Sequence, residues 1–146
     1  MLVPSKKIFY AIEAVLYIAY NAKAGPIGGS EVAQAQHLPT RYLEPIMQKL
    51  VRAGILKGVR GPQGGYVLGR ERRRISLADI CATITDEGSL PKSATALGEK
   101  ILRPSATTLM QQWKEGLANI SIANLCEQAT AAKLPSTNDA STDFTI

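Results

Sequence analysis

The chain has 146 residues, 45% of them hydrophobic, enough for about one domain with its own core. Its two cysteines and the lack of a signal-peptide pattern predict a soluble cytoplasmic protein without a disulfide framework. No apolar run approaches the roughly 20 residues of a membrane-spanning helix, so no membrane partner is expected. The net charge of +5 is unevenly spread: residues 1–74 carry 12 Lys and Arg against 4 Asp and Glu, and residues 75–146 carry 5 against 8. A basic half of this kind is the footprint of a protein that approaches phosphates, although a solvated surface explains the charge alone equally well.

From Ser5 to Ala22, Ile8, Ile12, Val15, Leu16 and Ala19 recur at helical spacing without an intervening Gly or Pro, which predicts an amphipathic helix. The run Lys23 to Gly29, "KAGPIGG", stops it, and Ser30 then offers an N-cap for a short helix from Glu31 to about Gln36. A third helix follows Pro39, with Leu43, Ile46, Met47 and Leu50 on one face and Gly54 at its end, where a left-handed residue is wanted. Pro45 falls late for a first-turn proline, so a local distortion or a start shifted toward Tyr42 is expected.

Beyond Gly54, "ILKGV" (Ile55 to Val59) and "YVL" (Tyr66 to Leu68) are short strand-like runs flanking a glycine-rich turn, hence a β-hairpin. Gly61, Gly64 and Gly65 permit a sharp turn and a close approach, and Pro62 stiffens it. A Walker-type phosphate loop is poorly supported, because Gly65 is followed by Tyr66 and Val67 rather than by Lys and Ser or Thr. Helix, short helix, helix and hairpin in about 70 residues is the order of a winged helix-turn-helix. In that arrangement Arg60, at the hairpin base, can reach a minor groove.

The combination "RYLEPIMQKLVRAGILKGVRGPQGGYVLGR" (Arg41 to Arg70) followed by "ISLADI" (Ile75 to Ile80) resembles the Rrf-two family of bacterial winged helix-turn-helix transcription regulators, over roughly residues 5–85. The resemblance implies a homodimeric, cytoplasmic, DNA-binding protein, a repressor on a palindromic promoter element. By position it implies that Thr40, Arg41, Tyr42, Glu44 and Gln48 meet the major groove, Glu44 accepting from cytosine N4. Tyr42 is read equally well as a packing residue. Arg60, Gly61, Gln63 and Gly64 match the wing.

The family often binds an iron–sulfur cluster through three cysteines after the wing. Here the corresponding segment, Thr85 to Pro104, contains none, so no cofactor and no metal site are expected. The two cysteines lie instead in near-duplicate surroundings, "ISLADICATI" (75–84) and "ISIANLCEQA" (120–129). In each, Ser76 or Ser121 can cap a short helix whose apolar stripe includes Cys81 or Cys126. Burial as small hydrophobes is the expected role, and a thiol redox switch would require a depressed thiolate pKa or ready exposure.

Pro104 to Ala118 reads as a longer helix with Leu109, Met110, Trp113 and Leu117 as an apolar stripe, which the resemblance makes a dimer interface; packing within one subunit is the other reading. The expected organisation is a DNA-binding domain over 1–85, a connecting segment over 86–103, the dimerisation helix and a short helix over 104–131, and a polar, disordered tail over 132–146. The fold class is mainly α with a small β-hairpin. His37, the only histidine, reads as a turn residue, and no catalytic constellation can be built around it, which argues against an enzyme. The competing function is a protein-interaction or thiol-responsive module that keeps the fold and acts through a partner protein or another effector, a small molecule included. The basic set Arg41, Arg52, Arg60 and Arg70 favours DNA.

Overall fold

The computed structural model describes residues 5–85 and 89–136. Helix α1 (Lys6–Tyr20) is capped by the Ser5 hydroxyl, which accepts from the Ile8 N–H at 3.3 Å. Its buried face is Ala11, Ala14, Val15, Ile18 and Ala19, whereas Ile8, Ile12 and Leu16 only flank the core. The predicted stripe was therefore rotated toward the larger side chains. Three of the five buried members are alanines, whose small side chains allow a neighbouring element to pack close.

Helix α2 (Gly29–Ala35) starts earlier than expected, with Gly28 at the N-cap and Ser30 inside the first turn. It ends in a Schellman motif: His37, at φ 53°, donates to the Gln34 carbonyl, and Leu38 to that of Ala33. Helix α3 (Thr40–Arg52) follows at once, starting at Thr40 and running through Pro45 without interruption. The missing Pro45 N–H would have served the carbonyl of Arg41, an exposed residue where water can take its place. Leu43, Ile46, Met47 and Leu50 are buried as predicted, and Gly54, at φ 76°, closes the helix in a second Schellman motif.

Strands β1 (Leu56–Val59) and β2 (Gly65–Leu68) form an antiparallel hairpin with Leu56 opposite Leu68 and Val59 opposite Gly65. Gly64 donates to the Gly61 carbonyl at 2.9 Å, leaving Pro62 and Gln63 at the centre of a four-residue turn. A single residue before α2 adds to the sheet: Ile27 and Tyr66 exchange backbone hydrogen bonds of 3.0 and 2.8 Å. The hairpin is thus tied to both ends of the helix pair, through Gly54 at the end of α3 and through Ile27 at the start of α2.

The twin segments form helices α4 (Leu77–Ile84) and α6 (Ile122–Ala131), each with a complete capping box, Ser76 with Asp79 and Ser121 with Asn124. The two caps pair with each other. Leu77 N–H donates to the Ile120 carbonyl at 2.9 Å and Ile122 N–H to that of Ile75 at 2.8 Å, an antiparallel bridge at Ser76 and Ser121. Burial differs between equivalent positions: Ile75 is buried and Ile120 exposed, while Cys126 is buried and Cys81 only half-buried.

Between them, helix α5 (Arg103–Ala118) does not begin at Pro104 as expected. Helical backbone starts at residue 96 and passes through a π-turn, Gly98–Leu102, before α5. Inside a helix, a proline crowds the carbonyl four residues back, here that of Lys100, and the wider π winding relieves that clash. Residues 86–88 lie outside the described residues, as does 137–146, the greater part of the predicted disordered tail.

Candidate nucleic-acid interface

Thr40, Arg41, Tyr42, Glu44 and Gln48 are all exposed on α3; Arg41, Glu44 and Gln48 lie away from its buried face, and Thr40 and Tyr42 border it. Arg41, Glu44, Gln48 and Arg52 follow three- and four-residue spacings and so share one side of the helix. Among the described residues Arg41 and Glu44 form no ion pair, which leaves both a cation and a carboxylate free to meet an outside partner.

Tyr42 divides its ring between two tasks. It packs edge-on against Tyr10 of α1, with centroids 6.1 Å apart and planes at 86°, yet remains 42% exposed. The Gln36 side-chain amide donates to the Tyr10 carbonyl at 3.0 Å, fixing the turn between α2 and α3 to the same point of α1. At the other end of α2, burial first and then the nearby Glu31 carboxylate push the Tyr17 phenol pKa up. Sequence periodicity gave no sign of Tyr10 or Gln36 as supports, because neither belongs to an apolar stripe.

In the wing, Arg60, Gly61 and Gln63 are exposed; Arg60 directly follows β1 beside the Gly61–Gly64 turn, so it sits at the tip of the hairpin and not at its base as expected, and it forms no ion pair among the described residues. Gly61, at φ 117°, makes a turn that other residues rarely adopt. Gly64 behaves differently: a Cβ there would collide with the Val59 carbonyl oxygen, so it is a closure residue of the hairpin. At Gly65 a Cβ would lie 2.5 Å from the Ile27 carbonyl carbon and oxygen, so glycine at this position is what lets β2 reach Ile27. Lys57, exposed on β1, extends the basic set. Arg70, by contrast, lies 4.0 Å from the Asp79 carboxylate and joins the wing base to the α4 cap.

Leu109, Met110 and Trp113 are exposed and Leu117 half-buried; α5 contributes no buried residue at all. Burial pushes the thiol pKa of Cys81 up, and that of Cys126 up as well, against a smaller opposing effect of Arg72. Neither cysteine is thus held as a thiolate.

The model of the Rrf2 family, described as "Iron-dependent Transcriptional regulator", matches residues 4–128. An HTH-type transcriptional regulator of Haemophilus influenzae is 34% identical over 125 residues, covering 86% of this chain and 81% of that protein. The regulator IscR of Escherichia coli is 32% identical over 77 residues, which span 53% of this chain but only 48% of that one. Among solved structures, T. potens IscR superposes with a TM-score of 0.76 at 31% identity, covering 92% of this chain and 93% of that one. CymR, the global cysteine regulator of B. subtilis, gives 0.73 at 27% identity over 88% and 98%.

The iron in the family description does not fit the donors present here. The chain has two cysteines, one buried and one half-buried, and no group of three or more His, Cys, Asp or Glu among the described residues could hold a metal ion. In the segment where the resemblance implies cysteine ligands, Glu99 and Arg103 form a two-pronged ion pair of 2.8 and 2.9 Å. Arg103 also donates to the Leu90 and Pro91 carbonyls, and Ser93 N–H to Glu99. The family model spans nearly the whole described chain, and a regulator of H. influenzae and the T. potens IscR structure match it over most of both chains: this chain belongs to the Rrf2 family of transcriptional regulators.

Proposed function

We propose that the protein is a cytoplasmic, homodimeric repressor that reads a palindromic promoter element. The two copies of α3 enter major grooves, and the wings touch the flanking minor grooves. The observation that carries this reading is the unpaired polar face of α3, Arg41, Glu44 and Gln48, beside a wing anchored to the same helix pair by the Ile27–Tyr66 bridge. Arg41 supplies phosphate or guanine contacts, Glu44 a cytosine N4 acceptor, and Arg60 the minor-groove cation. Leu109, Met110, Trp113 and Leu117 form the seam with the second subunit, since an isolated helix of this length is marginal in water and no residue of α5 is fully buried in its own chain, Leu117 being half-buried and the other three exposed.

Fluorescence anisotropy tests it, with DNA from upstream of the protein's own gene against scrambled DNA at two salt concentrations. Arg60→Ala should weaken binding to both DNAs and flatten the salt dependence by about one unit of slope. Glu44→Ala should instead cost about 1–3 kcal/mol of discrimination between the two DNAs. Wild-type binding by both variants would remove α3 and the wing from the interface.

A further inference from the structure

A cleft of about 530 Å³ opens between the C-terminal end of α1, the turn after it, the turn after β2 and the end of α6. Its wall includes Tyr20, Lys23, Arg72, Thr130, Lys133 and Ser136, and no acidic residue among those described lines it. The three cations come from three separate pieces of chain: Lys23 from the turn Ala22–Ala24, Arg72 from the turn Arg72–Arg74, and Lys133 from the residue after the α6 C-cap. None of the three forms an ion pair among the described residues.

Two bland roles fall short of explaining this arrangement. Lysines near helix C-termini answer the negative end of the helix dipole, and Lys23 and Lys133 follow α1 and α6. Arg72 belongs to neither helix end, however: it opens the turn Arg72–Arg74 after β2 and enters the cleft wall from there. Lys133 is also placed where its backbone does not favour it. It holds φ 57° at the left-handed position of a Schellman motif, its N–H on the Thr130 carbonyl and the next one on that of Ala129. Glycine is the residue that takes this conformation most cheaply, so the cation is kept there against backbone preference.

The DNA-reading face does not account for the cluster either. Tyr10, which supports Tyr42 on the recognition helix, is ten residues before Tyr20, about 15 Å away along α1. The cations also line a concave cleft and not an outward face. We infer that this cleft binds a small anion carrying carboxylate or phosphate groups, held by Lys23, Arg72 and Lys133. Charge-assisted hydrogen bonds from ammonium and guanidinium groups are the interactions that recognise such oxygens. The Tyr20 hydroxyl, which donates to the Leu134 carbonyl, secures the chain that forms the outer wall.

Isothermal titration calorimetry on the full chain, with pyrophosphate and with citrate as probes at fixed ionic strength, tests the site and separates phosphate from carboxylate chemistry. Saturable binding of either probe, one per chain, is expected. Lys133→Gly should weaken it by about tenfold, the loss of one charge-assisted hydrogen bond. That variant also relieves the left-handed backbone, so it should melt no lower than wild type. Lys23→Gln should weaken binding comparably, and Arg60→Ala, in the wing, should leave it unchanged. The inference fails if neither probe binds, if binding survives Lys133→Gly and Lys23→Gln, or if Arg60→Ala abolishes it. It also fails if Lys133→Gly flattens the salt dependence of DNA binding without probe present, for then these cations belong to the DNA path.

Discussion

The helix pair with its wing and the long helix α5 are built on opposite terms. The first region owns its core: Leu43, Ile46, Met47 and Leu50 of α3 belong to one buried cluster with α1, Ile55 and Leu56, and Ile80 and Ile122 of the twin helices. The second has no buried residue: Leu109 of α5 and Leu97, Ile101 and Leu102 of the helical backbone leading into it are all more than half exposed, and Trp113 is 47% exposed. An apolar helix surface of that extent marks an interaction site in a protein stable in water. One region is therefore stabilised by folding, and the other, on the reading proposed above, by association.

Substituting each region by alanine separates these two sources of stability. Ile46→Ala should lower unfolding stability in urea by about 2–5 kcal/mol at any protein concentration. Trp113→Ala with Leu109→Ala should leave the folded monomer nearly as stable. The pair should nonetheless weaken self-association measured by sedimentation, each anchor by about 2 kcal/mol or more. A double variant that unfolds like Ile46→Ala would place α5 in the intrachain core and break the contrast. Next in size is Gly65→Ala, where the new methyl meets the Ile27 backbone at 2.5 Å. Overpacking of this kind costs about 1–3 kcal/mol, and here it should also loosen the wing and weaken DNA binding. Unchanged stability and affinity would show that the Ile27–Tyr66 bridge does not hold the wing.

These two regions were unequally legible. The α3 core face and the hairpin could be read because helical periodicity, Gly54 and the wing glycines are local signals. The Ile27–Tyr66 bridge could not, since one residue of strand pairing has no period; Ile27 sits between Pro26 and Gly28 in what reads as a turn. The α1 stripe was displaced because buried alanines look unremarkable in sequence. Helix starts failed for a similar reason: Ser30 is a better cap by residue type than Gly28, but tertiary placement decided otherwise. The π-turn ahead of α5 arises from Pro104 meeting a helix that had already begun, which requires knowing where helical backbone starts.

The twin segments lie where the two regions join, so their caps sharpen the comparison on a smaller scale. Ser76→Ala and Ser121→Ala should each cost about 1 kcal/mol in urea unfolding. Because the two caps pair at one bridge, the double variant should depart from the sum of the single losses. Strict additivity would mean that α4 and α6 are anchored independently, by Ile80 and Ile122 in the core, and that the bridge between them contributes little.

The smallest effect concerns how a helix without a core is started. Hydrogen bonds from Arg103, then from the Ser93 backbone, hold the Glu99 carboxyl at a pKa of about 2, below its ordinary 4.5. A carboxylate with a depressed pKa stabilises the fold fully above its unfolded value, and that contribution is lost as pH falls from about 4.5 toward 2. The clamp should therefore be intact throughout the neutral range, and acid should release residues 89–103 only near the bottom of that window. Carbon-detected NMR titration of Glu99 should give a midpoint near 2, and in Arg103→Gln the midpoint should return toward 4.5. The same variant should free Leu90 and Pro91 from α5 while leaving the α3 core unmoved, since none of the clamp's partners belongs to it. A Glu99 midpoint that ignores Arg103 would mean that the helix start is held by the π-turn backbone alone, and that α5 depends even more on whatever covers its apolar side.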